Sequence, residues 1–173
     1  MHPLLQKLAG VDRRSIGKSN EVVAKVMADP SLFAVLFNGM LDDDPVLRMR
    51  CADAVEKISA LHPEFLRPYK KKLIQQVAGI EQQEVRWHVA QLFSRVALSA
   101  KERRAVANIL SAYLKDKSKI VKTFSMQALA DIAEQDEALR VPIIKQLEGL
   151  TRTSSPAMKA RGKKLLAKLQ GKP

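Results

Sequence analysis

Leu47-Arg48-Met49-Arg50-Cys51-Ala52 returns three times in altered form, as Val85-Arg86-Trp87-His88-Val89-Ala90, Val121-Lys122-Thr123-Phe124-Ser125-Met126 and Met158-Lys159-Ala160-Arg161-Gly162-Lys163. The copies start 38, 36 and 37 residues apart. Each begins with an apolar residue followed by a basic one, and eleven positions after the first residue an apolar residue closes the pattern: Ile58, Val96, Ile132 and Leu169. Ala54-Val55, Leu92-Phe93, Ala128-Leu129 and Leu165-Leu166 fill the register between them. Apolar residues at i, i+4, i+7/i+8 and i+11 form one face of an α-helix.

A second amphipathic stretch precedes each copy: Phe33, Leu36, Phe37 and Met40; Tyr69, Leu73, Ile74 and Val77; Val106, Ile109, Leu110 and Tyr113; Ile143, Ile144, Leu147 and Leu150. The repeating unit is therefore a helical hairpin. Asp29-Pro30, Asp44-Pro45 and Ser155-Pro156 each place a capping side chain before a proline at the first helical position, and Ser99-Ala100-Lys101-Glu102 reads as a capping box. Short polar turns are expected at 42–44, 116–118 and 151–155. The pattern predicts helices near 31–41, 45–61, 63–79, 82–97, 100–115, 118–134, 137–150 and 156–170, stacked in order and with no sheet. Residues 1–28 fit the period less well. Leu4, Leu5 and Leu8, then Val22, Val23 and Val26, suggest a degenerate repeat that covers the open end of the stack.

With 173 residues, 46% hydrophobic content and only 5% aromatic residues, the chain is read as one all-α domain, 1–173, with repeats at about 30–61, 63–97, 100–134 and 137–170. No stretch approaches the length of an apolar membrane span, and the N-terminus lacks the regions of a signal peptide, so a cytoplasmic location is expected. The single cysteine, Cys51, falls on an apolar helix position and reads as core. The formal charge of +12 is unevenly placed: residues 151–173 hold Arg152, Lys159, Arg161, Lys163, Lys164, Lys168 and Lys172 and no acid.

Paired helices about 37 residues apart, with Asp-Asp-Asp-Pro-Val-Leu-Arg at 42–48, resemble HEAT repeats, relatives of the armadillo class, over roughly residues 30–170. The resemblance implies a right-handed α-α superhelix in which the second helix of each hairpin lines a concave binding face. It also implies a ladder between an Asp in the turn and a basic residue six positions later. Asp42 with Arg48 and Asp116 with Lys122 fit that spacing, whereas Ile80 and Thr153 stand where the other hairpins would carry the Asp.

Candidate chemistry is sparse. Gly17-Lys18-Ser19 looks like the end of a P-loop, but Gly10 lies six residues away instead of four and no strand precedes it. Arg13, Arg14, Lys18 and Ser19 could still attract one phosphate before a helix. His2, His62 and His88 have no ligands at zinc spacing, and no catalytic constellation, metal site or cofactor is expected. The concentrated cluster is 84–91, where Trp87 and His88 offer a surface for stacking and Gln91 a hydrogen-bonding partner, or where Trp87 instead packs between repeats.

The expected function is a non-catalytic interaction module that binds a macromolecule through its concave face. Arg48, Arg50, Arg86, Trp87, His88, Gln91, Lys122, Lys159, Arg161 and Lys164 are the candidate contacts, with a protein as the favoured partner and nucleic acid or another polyanion as the alternative. Trp87-x-x-x-Gln91 also resembles the Trp-x-x-x-Asp arrangement of HEAT-like DNA glycosylases, with an amide at the position where that class has its carboxylate. A bilin-lyase-like reading rests on fold analogy alone.

Overall fold

A computed structural model describes residues 1–171; Lys172, one of the seven basic residues of the acid-free terminus, lies outside them. Among the described residues there is no strand. The chain forms two compact units, residues 1–96 and 97–173.

The first unit carries α1 (Pro3–Gln6), α2 (Ser19–Ala28), α3 (Phe33–Asn38), α4 (Pro45–Leu61), α5 (Lys70–Gln75) and α6 (Gln83–Phe93). Helix α4 is its centre, packed against α2 on one side and α6 on the other. It starts where the Asp44 carboxylate accepts the Val46 N–H at 2.9 Å, with Pro45 supplying a fixed φ and no unsatisfied donor. Leu47, Cys51, Ala54, Val55 and Ile58, the face set by the repeat, are fully buried. Burial, and after it the charge of Asp42, pushes the Cys51 thiol up, which makes it an inert core residue.

The first helices of these hairpins are less regular than their periodicity suggests. The stretch expected at 31–41 is a 3-10 turn (Pro30–Leu32), then α3, then a second 3-10 turn (Gly39–Leu41). That expected at 63–79 is a 3-10 segment (Pro63–Tyr69), then α5, then Val77–Gly79 in 3-10 form. Pro63 and Pro68 cannot donate backbone hydrogen bonds, and Phe33, Phe37, Phe65 and Tyr69 gather here into one aromatic cluster. At the other break, Gly39 lies so close to Cys51 that a Cβ there would meet its sulfur at 2.5 Å.

The second unit carries α7 (Ala100–Tyr113), α8 (Lys119–Gln135), α9 (Glu137–Thr153) and α10 (Pro156–Leu169). Each helix packs on its sequence neighbour, and α10 also packs on α8. The Ser99–Glu102 capping box is formed in both directions, at 3.2 and 2.7 Å. Helix α9 runs three residues beyond the expected stop. Thr151, Thr153 and Ser154 each donate a hydroxyl proton to the carbonyl four residues earlier, which continues the helix through a polar stretch that reads as a turn.

Candidate binding cleft

In each second helix the third, fourth and seventh residues of the repeat share one strip: Met49, Arg50 and Asp53; Trp87, His88 and Gln91; Thr123, Phe124 and Gln127; Ala160, Arg161 and Lys164, of which Met49 and Arg50 are buried. In the first unit this strip meets the loop before α2. Arg13, Arg14, Ser15 and Ile16 face Met49, Arg50 and Asp53 of α4 and Glu84, Trp87 and His88 of α6 across an open cleft of about 360 Å³.

Trp87 is half-buried and meets His88 edge-on, ring centroids 5.8 Å apart at 62°. His88 is the chemically distinctive group. Its Nδ1 is buried and has no hydrogen-bond partner among the described residues. Burial pushes the imidazole below its ordinary pKa; Asp53 and Glu56 pull it back up, while Lys57 and Arg95 add to the depression. The ring is therefore neutral near pH 7. The nearby charges are already paired: Asp53 accepts Lys57 at 2.7 Å and the Ser19 hydroxyl, and Arg95 binds Glu56 and the Ser59 hydroxyl. Arg13 and Arg14 lie exposed at the rim.

Several expected contacts have other duties. Arg50 is 5% exposed, and its guanidinium donates to the carbonyls of Leu8 (2.9 Å), Ala9 (3.0 Å), Asp12 (3.0 Å) and Ser15 (2.9 Å). It is a clasp for the 8–16 loop and not a free cation for a partner. Gly17, at φ 57°, passes so near that a Cβ would meet the Arg50 Nη1 at 2.8 Å. Gln91 is turned onto its own helix and donates to the Trp87 carbonyl at 3.2 Å, so it does not share the cleft. Ser19 is buried against Asp53, so its hydroxyl does not join Arg13, Arg14 and Lys18 around a phosphate.

The ladder has a different chemistry from the expected one. Asp42 and Asp116 use their carboxylates on the backbone two residues on, accepting from Asp44 N–H (2.9 Å) and Ser118 N–H (2.8 Å). Arg48 donates instead to the Asp42 carbonyl (2.9 Å) and to the Gln82 side chain (3.0 Å), whose amide returns a bond to Pro45 (2.8 Å). Arg86 makes the equivalent bond to the Ile80 carbonyl at 3.3 Å. In the second unit Lys122 is half-buried, Arg161 donates to Gln127 at 2.9 Å, and Lys159 and Lys164 are exposed.

No protein-family model matches the sequence, and no curated protein is significantly similar to it. Solved structures do resemble the fold. Two engineered proteins from the Northeast Structural Genomics Consortium superpose with TM-scores of 0.70 and 0.67 at 15% and 14% identity, in each case over 97% of this chain and 78% and 80% of theirs. At that identity the likeness concerns architecture alone: the chain is an all-α protein of packed helices.

Proposed function

We propose that the chain is a HEAT-like repeat protein, its hairpins those of a right-handed α-α superhelix, and that it acts in the cytoplasm as a non-catalytic interaction module for a partner protein. The observation that carries this reading is the open cleft in which Trp87 and His88 of α6 meet the loop before α2 and the side of α4. The lining mixes an indole, a neutral imidazole, apolar Ile16 and Met49, three arginines and the carboxylates of Asp53 and Glu84. Such a mixture of signs and apolar surface suits the varied side chains of a peptide segment better than the uniform charge of a phosphate backbone.

The test is affinity capture from lysate, with and without nuclease, comparing wild type with Trp87→Ala and His88→Ala. A defined protein recovered by the wild type, resistant to nuclease and lost in both variants, is expected. Recovery unchanged by both substitutions would remove the cleft from the account.

A further inference from the structure

The second unit differs from the first in charge. Residues 97–173 hold sixteen Lys and Arg against seven Asp and Glu, so they carry nine of the twelve surplus positive charges. Its acids are also largely engaged. Glu102 closes the capping box, Asp136 caps α9 and holds Arg103, Asp131 accepts Gln127, and Glu134 holds Lys168.

A groove of about 610 Å³ runs along α10, lined by Arg161, Lys164 and Lys168, with Gln127 of α8 on its other side. Arg161 is held in place by a relay: Gln127 accepts its N–H at 2.9 Å and itself donates to Asp131 at 3.0 Å. A guanidinium fixed in this way loses less freedom when it binds. The groove leads through Ala157 into an apolar shelf of about 260 Å³ formed by Ile120, Thr123, Phe124 and Met158, with Lys119 at its edge. Ile120 is 49% exposed although it lies next to the core.

We propose that the α8/α10 groove binds single-stranded nucleic acid, with phosphates along Arg161, Lys164 and Lys168, the last exchanging its exposed ion pair with Glu134 for a phosphate, and a base on the Ile120–Phe124 shelf. Cations in a row next to an aromatic-bearing shelf make the combination that holds single strands without reading their sequence. Helix rise places Lys164 and Lys168 about 4.5 and 10.5 Å beyond Arg161 along the axis, within reach of successive phosphates of one strand. A base reaches the Ile120–Phe124 shelf only when it is unpaired, which a duplex does not offer. This inference uses residues of the second unit only and is independent of the protein-binding reading of the Trp87 cleft.

The experiment is fluorescence anisotropy of the full chain with labelled oligo(dT) and oligo(rU) of about 20 nucleotides, a duplex of equal length, and polyglutamate, across a salt series. Binding of both single strands at low salt is expected, with a log–log salt slope of about −2 for three phosphate contacts at about −0.7 each. A variant with Arg161→Gln, Lys164→Gln and Lys168→Gln should bind about tenfold or more weakly, and with a shallower slope. Lys164→Gln alone, at an exposed position, should weaken binding without touching the relay. Phe124→Ala should weaken single-strand binding while leaving polyglutamate unaffected. A control with Lys115→Gln, Lys117→Gln and Lys145→Gln removes the same charge elsewhere on the unit. Absence of single-strand binding at low salt, equal losses in the control, preference for duplex, or polyglutamate binding as tight as oligo(dT) would each overturn the proposal.

Discussion

Gly162 of α10 approaches Thr151 of α9 so closely that a Cβ at 162 would stand 1.9 Å from the threonine Oγ1 and 3.2 Å from the Met126 methyl of α8. The hydroxyl cannot simply swing aside, because it donates to the Leu147 carbonyl at 2.6 Å. Alanine is the better helix former by about 1 kcal/mol, yet here its methyl must displace packed atoms. Gly162→Ala should therefore destabilise the protein by about 1–3 kcal/mol. Combining it with Thr151→Ala should recover part of the loss, and urea denaturation of the four proteins as a double-mutant cycle measures the coupling. Additive effects would mean that the two helices are farther apart.

Arg50→Met keeps the length of the side chain and removes every donor to the four loop carbonyls. Leaving buried carbonyls unsatisfied should cost about 3 kcal/mol. Arg50→Lys, with a compact ammonium in place of the planar fork, should recover less than half of that. Limited proteolysis should then cut first between residues 9 and 17. An unchanged denaturation midpoint in Arg50→Met would show that the clasp contributes little.

His88 gives stability a definite pH dependence. The unfolded chain takes up a proton near pH 6.5, while burial holds the folded imidazole below its ordinary value. Between the two values the unfolded state binds more protons, so this contribution is fully present above about pH 6.5 and is lost as pH falls through the interval towards the folded pKa. His88→Gln should flatten that part of the stability curve, measured as urea midpoints between about pH 5 and 7.5. NMR titration of the imidazole locates the folded value, and a pKa at or above about 6.5 would contradict the burial of the ring.

Leu129 is fully buried in α8, whereas Lys164 is exposed on α10. Leu129→Ala should cost about 2–5 kcal/mol and Lys164→Ala no more than about 0.5 kcal/mol. Equal losses at similar m-values would place the core on the wrong helix faces.

Two second helices were legible because their apolar spacing and caps agree: 45–61 is recovered as Pro45–Leu61 and 118–134 as Lys119–Gln135, whereas that expected at 82–97 ends at Phe93, before Val96. The first helices of the first unit were less so, since periodicity does not register how prolines and a tightly packed glycine tighten successive turns into 3-10 geometry. Arg50 shows a misreading that the register could have prevented. It lies three residues after Leu47 and one before Cys51, on the edge of the core face, where an arginine needs acceptors from elsewhere in the chain. Those acceptors are main-chain carbonyls, which carry no sequence signature. The same holds for Ile80, which lacks the carboxylate of the motif but whose carbonyl serves Arg86 as that of Asp42 serves Arg48. The cleft was invisible for a simpler reason: Arg13 and Trp87 are separated by most of the first unit, and no local pattern announces their meeting.

The clasp on the 8–16 loop has a kinetic consequence. A segment secured by several bonds to one side chain lets go as a unit, so its amides should exchange with solvent together, in one local opening that leaves α4 intact. Arg13 and Arg14 ride on that segment. A ligand seated on them would hold the loop shut, so its binding should slow the exchange of all these amides by one common factor, larger for a tighter ligand.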